Sequence, residues 1–199
     1  MWDQRFSEPE FAYGKQANDF LREEFRRIPT GGRVLCLAEG QGRNAVFLAK
    51  QGYQVTALDL SPVGLTRAAE LACENEVAIE TLVADLAVHD LGEDWDGIIC
   101  IFGHTPPPVR KRVHSQIANA LTAGGVYILE CYTPKQHAMP GRGGPPPEMK
   151  EFLMTLAELK EELAQLDLVI SREVEREINE GAYHQGLSAT VQVVSQKPA

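Results

Sequence analysis

Val34-Leu35-Cys36-Leu37-Ala38-Glu39-Gly40-Gln41-Gly42 begins as an apolar run and ends in a glycine loop, and the next apolar run, Val55-Thr56-Ala57-Leu58, closes on Asp59. The order strand, glycine loop, helix, strand, acid predicts a site for a nucleoside-containing cofactor at the carboxyl ends of two parallel strands. A side chain at Gly40 or Gly42 would keep the backbone from approaching a ligand there. Asp59 has two oxygens that can accept from ribose hydroxyls, and Glu39 brings negative charge to the loop. That charge repels a dinucleotide phosphate and favours a cation.

Outward from this stretch, helical and extended patterns alternate. Phe20, Leu21, Phe25 and Ile28 stand at helical spacing, which predicts a helix over 15–28 with Asn18 or Asp19 as its cap. Strands are expected at 33–38, 54–58, 79–84, 96–102 and 125–131, with helices at 43–51, from Ser61-Pro62 to Asn75, and at 107–122. The nearly continuous apolar character of 96–102 fits a strand covered on both faces. Thr133 to Pro147 holds five prolines and three glycines and predicts a long irregular loop. A helix near 155–165 follows, with Thr155 as cap. Two extended runs, 167–178 and 187–197, separated by Gly181 and Gly186, predict an antiparallel hairpin at the sheet edge.

The expected architecture is α/β: a doubly wound, mostly parallel sheet of seven strands with helices on both faces and a C-terminal antiparallel hairpin, in one domain over 1–199. Its parts are a cap at 1–28, a cofactor-binding core at 33–131, the loop at 133–147, and a helix with hairpin at 148–199. A chain of 199 residues with 44% hydrophobic content suits such a domain. A net charge of −9 argues against a nucleic-acid partner, because phosphate binding needs a basic face. Met1-Trp2-Asp3-Gln4-Arg5 lacks the pattern of a signal peptide, and no apolar run approaches the roughly 20 residues of a membrane span, so a cytoplasmic protein is expected. Cys36, Cys73, Cys100 and Cys131 show no C-x-x-C spacing and read as reduced thiols, with no metal site.

S-adenosylmethionine is a cationic nucleoside cofactor that needs no phosphate cradle, and at this point the chain resembles the class I methyltransferases. In that family the acidic-x-Gly-x-Gly loop binds the methionine part and the acid after the second strand binds the ribose. Val83-Ala84-Asp85 is similar to the family's third-strand acid near adenine, and Trp95 to Phe102 to its fourth strand. Leu121-Thr122-Ala123-Gly124-Gly125 resembles the turn into its fifth strand. Trp2-Asp3-Gln4-Arg5-Phe6 with Tyr13-Gly14, Glu39 to Asn44, Glu175-Arg176-Glu177 and Glu180 to His184 resemble one branch. That branch holds small bacterial enzymes related to the tellurite-resistance and thiopurine methyltransferases. The resemblance implies methyl transfer to a small soft nucleophile, of thiol, chalcogen oxyanion or halide type; it does not specify the acceptor or the oligomeric state.

The cofactor-binding residues expected are Glu39, Gly40, Gly42, Arg43, Asn44, Asp59, Leu60, Ala84, Asp85, Leu86, Ile101 and Phe102. Arg43 reads either as a bidentate partner of the methionine carboxylate or as a salt bridge, and Asn44 as a ligand contact or a helix cap. His104, where the fourth strand opens onto the crevice, reads either as a base or as a histidine bonding the turn that follows it. His184 matches a histidine that related enzymes place over the acceptor, and with His104 forms the catalytic pair expected. Trp2, Phe6 and Tyr13 form either a lid or terminal packing. Two competing functions stand beside methyl transfer: a cofactor-binding sensor or partner subunit without catalysis, and an NAD-dependent oxidoreductase, whose phosphate motif Gly40-x-Gly42-x-x-Ala45 formally fits.

Overall fold

The computed structural model describes residues 2–199. Seven strands form one sheet in the order β3-β2-β1-β4-β5-β7-β6. They are β1 (Arg33–Leu37), β2 (Gln54–Asp59), β3 (Glu80–Val83), β4 (Trp95–Ile101), β5 (Leu121–Tyr132), β6 (Asp167–Glu180) and β7 (His184–Gln196). Neighbours from β3 to β5 are parallel, and β7 runs antiparallel to both β5 and β6. This is the expected doubly wound sheet with its terminal hairpin.

Side chains alternate across the sheet with the two-residue period of a strand. Leu35 and Leu37 of β1 and Ile98 of β4 enter one core layer, together with Val113 and Ile117. Val34, Cys36 and Ile99 enter the other, against Phe20, Leu21 and Leu48. Both faces of β1 beyond Arg33 and of β4 beyond Asp96 are thus dry, which is why those stretches are apolar throughout.

The helices are α1 (Trp2–Phe6), α2 (Asp19–Glu24), α3 (Arg43–Lys50), α4 (Pro62–Glu74), α5 (Pro107–Ala120) and α6 (Leu156–Glu162). Ser61 caps α4 through Gly64 N–H ahead of Pro62, and Thr155 forms a capping box with Glu158 at α6. Connections leave β1 and β4 toward opposite sides of the sheet, and the crevice between their carboxyl ends is the place where such sheets bind ligands.

Several boundaries differ from expectation for local reasons. The helix expected over 15–28 starts only at Asp19, because Asn18 adopts an extended backbone and its side chain accepts from Leu21 N–H; it ends in a 3₁₀ turn at Phe25–Arg27. The helix before β5 stops at Ala120, since Leu121 is already paired with Trp95. The 133–147 segment is not wholly irregular: Pro134–Ala138 forms a 3₁₀ helix, and Arg142 bridges to Gln185. Gly186 lies inside β7, so the hairpin turns at Gly181-Ala182-Tyr183. Helix α1 had no separate expectation, and Met1 of the expected cap lies outside the described residues.

Candidate functional site

Beyond β1 the chain turns through three left-handed residues, Ala38, Gly40 and Gly42, at φ of 51°, 64° and 87°. Glycine accepts such angles without the clash a side chain brings. The space around them tells more. A Cβ on Gly42 would lie 2.5 Å from the Ala68 methyl of α4, and one on Gly40 would lie 3.0 Å from the Phe6 ring. The glycines therefore allow α1 and α4 to pack against the loop, and Gly42 does not line the cavity, which corrects the expectation that both glycines clear room for a ligand.

Two carboxylates pin this loop. Glu39 Oε1 accepts from Asn44 N–H at 2.9 Å and Ala45 N–H at 2.8 Å, capping α3 at the positive end of its dipole. Burial pushes the Glu39 carboxyl up to about 7 against the pull of the Ala45 and Asn44 amides and the Arg43 charge. Asp59 accepts from Gly40 N–H and Ser61 N–H, each at 2.8 Å. Burial raises its pKa too, opposed by these same amides. Each carboxylate keeps acceptor capacity beyond these bonds.

These groups border a cavity of about 400 Å³. Of the residues expected from sequence, Glu39, Gly40, Arg43, Asn44, Asp59, Leu60, Ala84, Asp85, Leu86, Ile101, Phe102, His104 and His184 all line it. Asp85 sits at the mouth after β3, with Oδ1 accepting from Ala87 N–H. The N-terminal aromatics cover the loop side: Trp2 and Phe6 stack at 5.8 Å, Arg5 donates to the Tyr13 hydroxyl at 2.9 Å, and Asp3 accepts from the Ser61 hydroxyl. Val109 of α5 and Phe152, neither anticipated, close the opposite wall.

Beside the N-terminal cover, and sharing Tyr13 with it, stands an aromatic cluster. The His184 ring lies 4.4 Å from Tyr13, 4.6 Å from Phe102 and 5.3 Å from Tyr132, centroid to centroid. Phe102 holds a left-handed φ of 55°, its N–H bonded to Glu130 O at 2.7 Å. A non-glycine residue in that region is strained by roughly 1 kcal/mol or more and persists only where its surroundings hold it.

For two side chains the geometry favours the second of the two readings that the sequence left open. His104 Nδ1 lies 3.1 Å from Phe102 O, and its Nε2 accepts from Tyr132 N–H at 3.0 Å. Burial drives its pKa down to about 4. The ring is neutral with both nitrogens committed to backbone, so it has no free lone pair with which to act as the expected base. Arg43 spends its guanidinium inside the protein, on Glu180 at 2.6 Å and Gln16 O at 3.4 Å, which favours the salt-bridge reading over a ligand fork. Asn44 Oδ1 accepts from Asn18 N–H and ties the N-terminal segment to α3.

Behind the aromatic cluster runs a buried polar network that sequence reasoning missed. Glu130, fully enclosed on β5, accepts from Asn18, Arg176, Thr190 and Gln192. Asn18 and Arg176 also reach Glu180. The detectable signal was a lone glutamate in the apolar run Val126 to Tyr132, since a buried charge requires partners.

Residues 34–125 match the model of a family described as "Methyltransferase domain". The TehB protein of Haemophilus influenzae aligns with a TM-score of 0.71 at 19% identity, covering 90% of this chain and 61% of that one. A TehB-like S-adenosylmethionine-dependent methyltransferase of Corynebacterium glutamicum aligns at 0.63 and 22% identity, covering 98% and 94%. A curated relative, Hemagglutinin 1 of Eikenella corrodens, is 35% identical over 66 residues, and the chain spans only 22% of its length.

Proposed function

We propose that the protein is an S-adenosylmethionine-dependent methyltransferase acting on a small, soft nucleophile of thiol, chalcogen oxyanion or halide type; the match of residues 34–125 to a methyltransferase-domain model and the fold shared with TehB support this reading. The observation that carries this reading is the pair Glu39 and Asp59, two buried carboxylates on either side of the glycine loop, opening into one cavity that an aromatic cluster also lines.

The residues fit that cofactor. Glu39 offers an anion to the methionine ammonium, Asp59 offers acceptors to ribose hydroxyls, and Asp85 with Leu86 offers a carboxylate and an apolar wall to adenine. When bound, S-adenosylmethionine supplies a methyl group already activated on a sulfonium. The chain's own work is then to align an acceptor and exclude water. Trp2, Phe6 and Tyr13 cover one side, while Phe102, held by its strained backbone, presents its ring to the point where an acceptor meets the cofactor. His184 is the cavity-lining titratable group that faces the acceptor. His104 orients the β4–β5 connection through its two backbone bonds.

Against the oxidoreductase reading, a pyrophosphate would face the Glu39 carboxylate, which already takes the Asn44 and Ala45 amides at the start of α3. The test is calorimetric titration with S-adenosylhomocysteine and with NAD, followed by turnover on a panel of thiols, iodide and chalcogen oxyanions. Micromolar binding of the first ligand with turnover on the panel is expected. Binding of NAD alone overturns the proposal, and cofactor binding without turnover on any acceptor favours a sensor.

A further inference from the structure

Glu180 and His184 face each other across the hairpin turn as partners in the β6–β7 register. Glu180 Oε2 lies 3.9 Å from His184 Nδ1, beyond hydrogen-bond length. Nδ1 has no other partner and is sealed from solvent; it and Tyr132 Oη are two of four such buried side-chain atoms among the described residues. A buried polar atom without a partner is costly, and one that belongs to a cavity-lining residue calls for an explanation.

Glu180 is firmly held. Arg43 donates to Oε2 at 2.6 Å, while Asn18 and Arg176 donate to Oε1 at 2.9 Å and 3.3 Å. Burial pushes its carboxyl up, but the Arg43 charge above all overcomes this and holds the pKa down at about 2. His184 moves the other way: burial lowers its pKa, Glu180 only partly offsets this, and the Arg43 and Arg5 charges add to the lowering. A neutral imidazole facing an ionised carboxylate has one favourable arrangement. A lone pair on Nδ1 would point at like charge, whereas an N–H there is attracted. The Nδ1–H tautomer leaves the lone pair on Nε2, which is not among the sealed atoms; His184 lines the cavity, and the rings of Tyr13, Phe102 and Tyr132 pack around its imidazole.

We propose that Glu180 is a positioning residue that fixes His184 as an Nδ1–H tautomer, so that Nε2 takes the proton of an acceptor entering as a neutral X–H, which selects thiols and their heavier chalcogen analogues over halides and oxyanions. This rests on the methyltransferase reading of the same cavity. As the acceptor sulfur forms its bond to the methyl carbon, the old carbon–sulfur bond breaks with its electron pair left on the donor sulfur, now neutral. The S–H proton passes to Nε2, and the imidazolium faces Glu180 until water removes the proton. A thiol, with a pKa of about 8.5, is within reach of such a base, whereas an alcohol is not.

The test compares Glu180→Gln with the wild-type chain, using benzyl mercaptan and iodide as acceptors, alongside nitrogen NMR of the His184 ring. The wild type is expected to show Nδ1–H and to methylate the thiol in preference to iodide. In the variant the ring shifts toward Nε2–H, and kcat for the thiol falls about 100-fold with its KM within about threefold. The iodide rate falls far less, so the thiol-to-iodide ratio collapses, an effect that a loss of folding alone does not produce. Equal losses for both acceptors overturn the proposal. If the variant does not fold, the wild-type ring decides: an Nε2–H tautomer overturns the proposal even where S-adenosylhomocysteine binds. Failure of the wild type to bind that ligand removes the methyltransferase reading instead.

Discussion

The two parts of the proposed site, one for the donor and one for the acceptor, are built by different means. At the cofactor end the contacts are short in sequence: Glu39 bonds amides five and six positions on, Asp59 one two positions on, and Gly40 reaches Asp59 over 19. At the acceptor end Asn18 reaches Glu130 over 112 positions and Glu180 over 162, and Arg43 reaches Glu180 over 137. One end is a property of a β-α-β unit, held by backbone amides. The other exists only when the N-terminal segment, β5 and the hairpin meet, and charged side chains hold it. Binding of the donor and shaping of the acceptor pocket should therefore fail separately.

The sharpest way to break that contrast is Glu130→Ala. It leaves Arg176, Asn18, Thr190 and Gln192 without their shared acceptor, and should cost about 4 kcal/mol of stability in urea unfolding. A loss below about 1 kcal/mol would mean that the network is not what holds the acceptor end together. Next in size, Asp59→Ala should weaken S-adenosylhomocysteine binding about 100-fold by calorimetry, as expected for two lost hydrogen bonds to a charged acceptor; affinity within threefold of wild type would contradict the assignment of the cofactor end.

A pH titration sharpens the comparison further. In the proposed site only an ionised Glu39 would pair with the ligand ammonium, and burial pushes its carboxyl up to about 7. Affinity should therefore fall as pH drops below 7, by up to about tenfold per unit, and level off above it. Glu39→Gln should bind more weakly with this slope removed, and a slope that persists would assign the proton to another group. The smallest effect is expected at Gly143, where an added methyl would meet the Tyr132 hydroxyl. Gly143→Ala should cost about 1 kcal/mol in thermal unfolding and leave donor affinity intact.

What was legible in the sequence follows the same division. The order of strands and helices, the caps at Asn18, Ser61 and Thr155, and the lining positions of Glu39, Asp59 and Asp85 depend on neighbours a few residues away, and a linear reading reaches them. Gly42 was placed in the right loop for the wrong reason, because the Ala68 methyl it accommodates belongs to a helix whose packing angle no local pattern encodes. The ambiguity at Arg43 and His104 had the same origin: each side chain is recruited by a partner far along the chain, Glu180 in one case and Tyr132 N–H in the other. Within the proline-rich segment, composition favoured irregular backbone, yet Gln136 donates to Gly141 O and accepts from Ala189 N–H, anchoring a short 3₁₀ turn on β7.

The place of β7 in the sheet bears on how the chain is made. Residues 184–196 lie between β5 and β6, pairing with both along most of their length. While a ribosome is still adding them, the half built on β1 to β4 can assemble, but the apolar strand from Val126 to Tyr132 remains an open edge with Glu130 lacking its partners on β7. An unpaired edge of that kind is a template for association between nascent chains. Synthesis of this protein therefore includes an interval of exposure that ends only when β7 slides into the gap, and the speed of that closing step, more than the final stability, should govern its yield in a crowded cell.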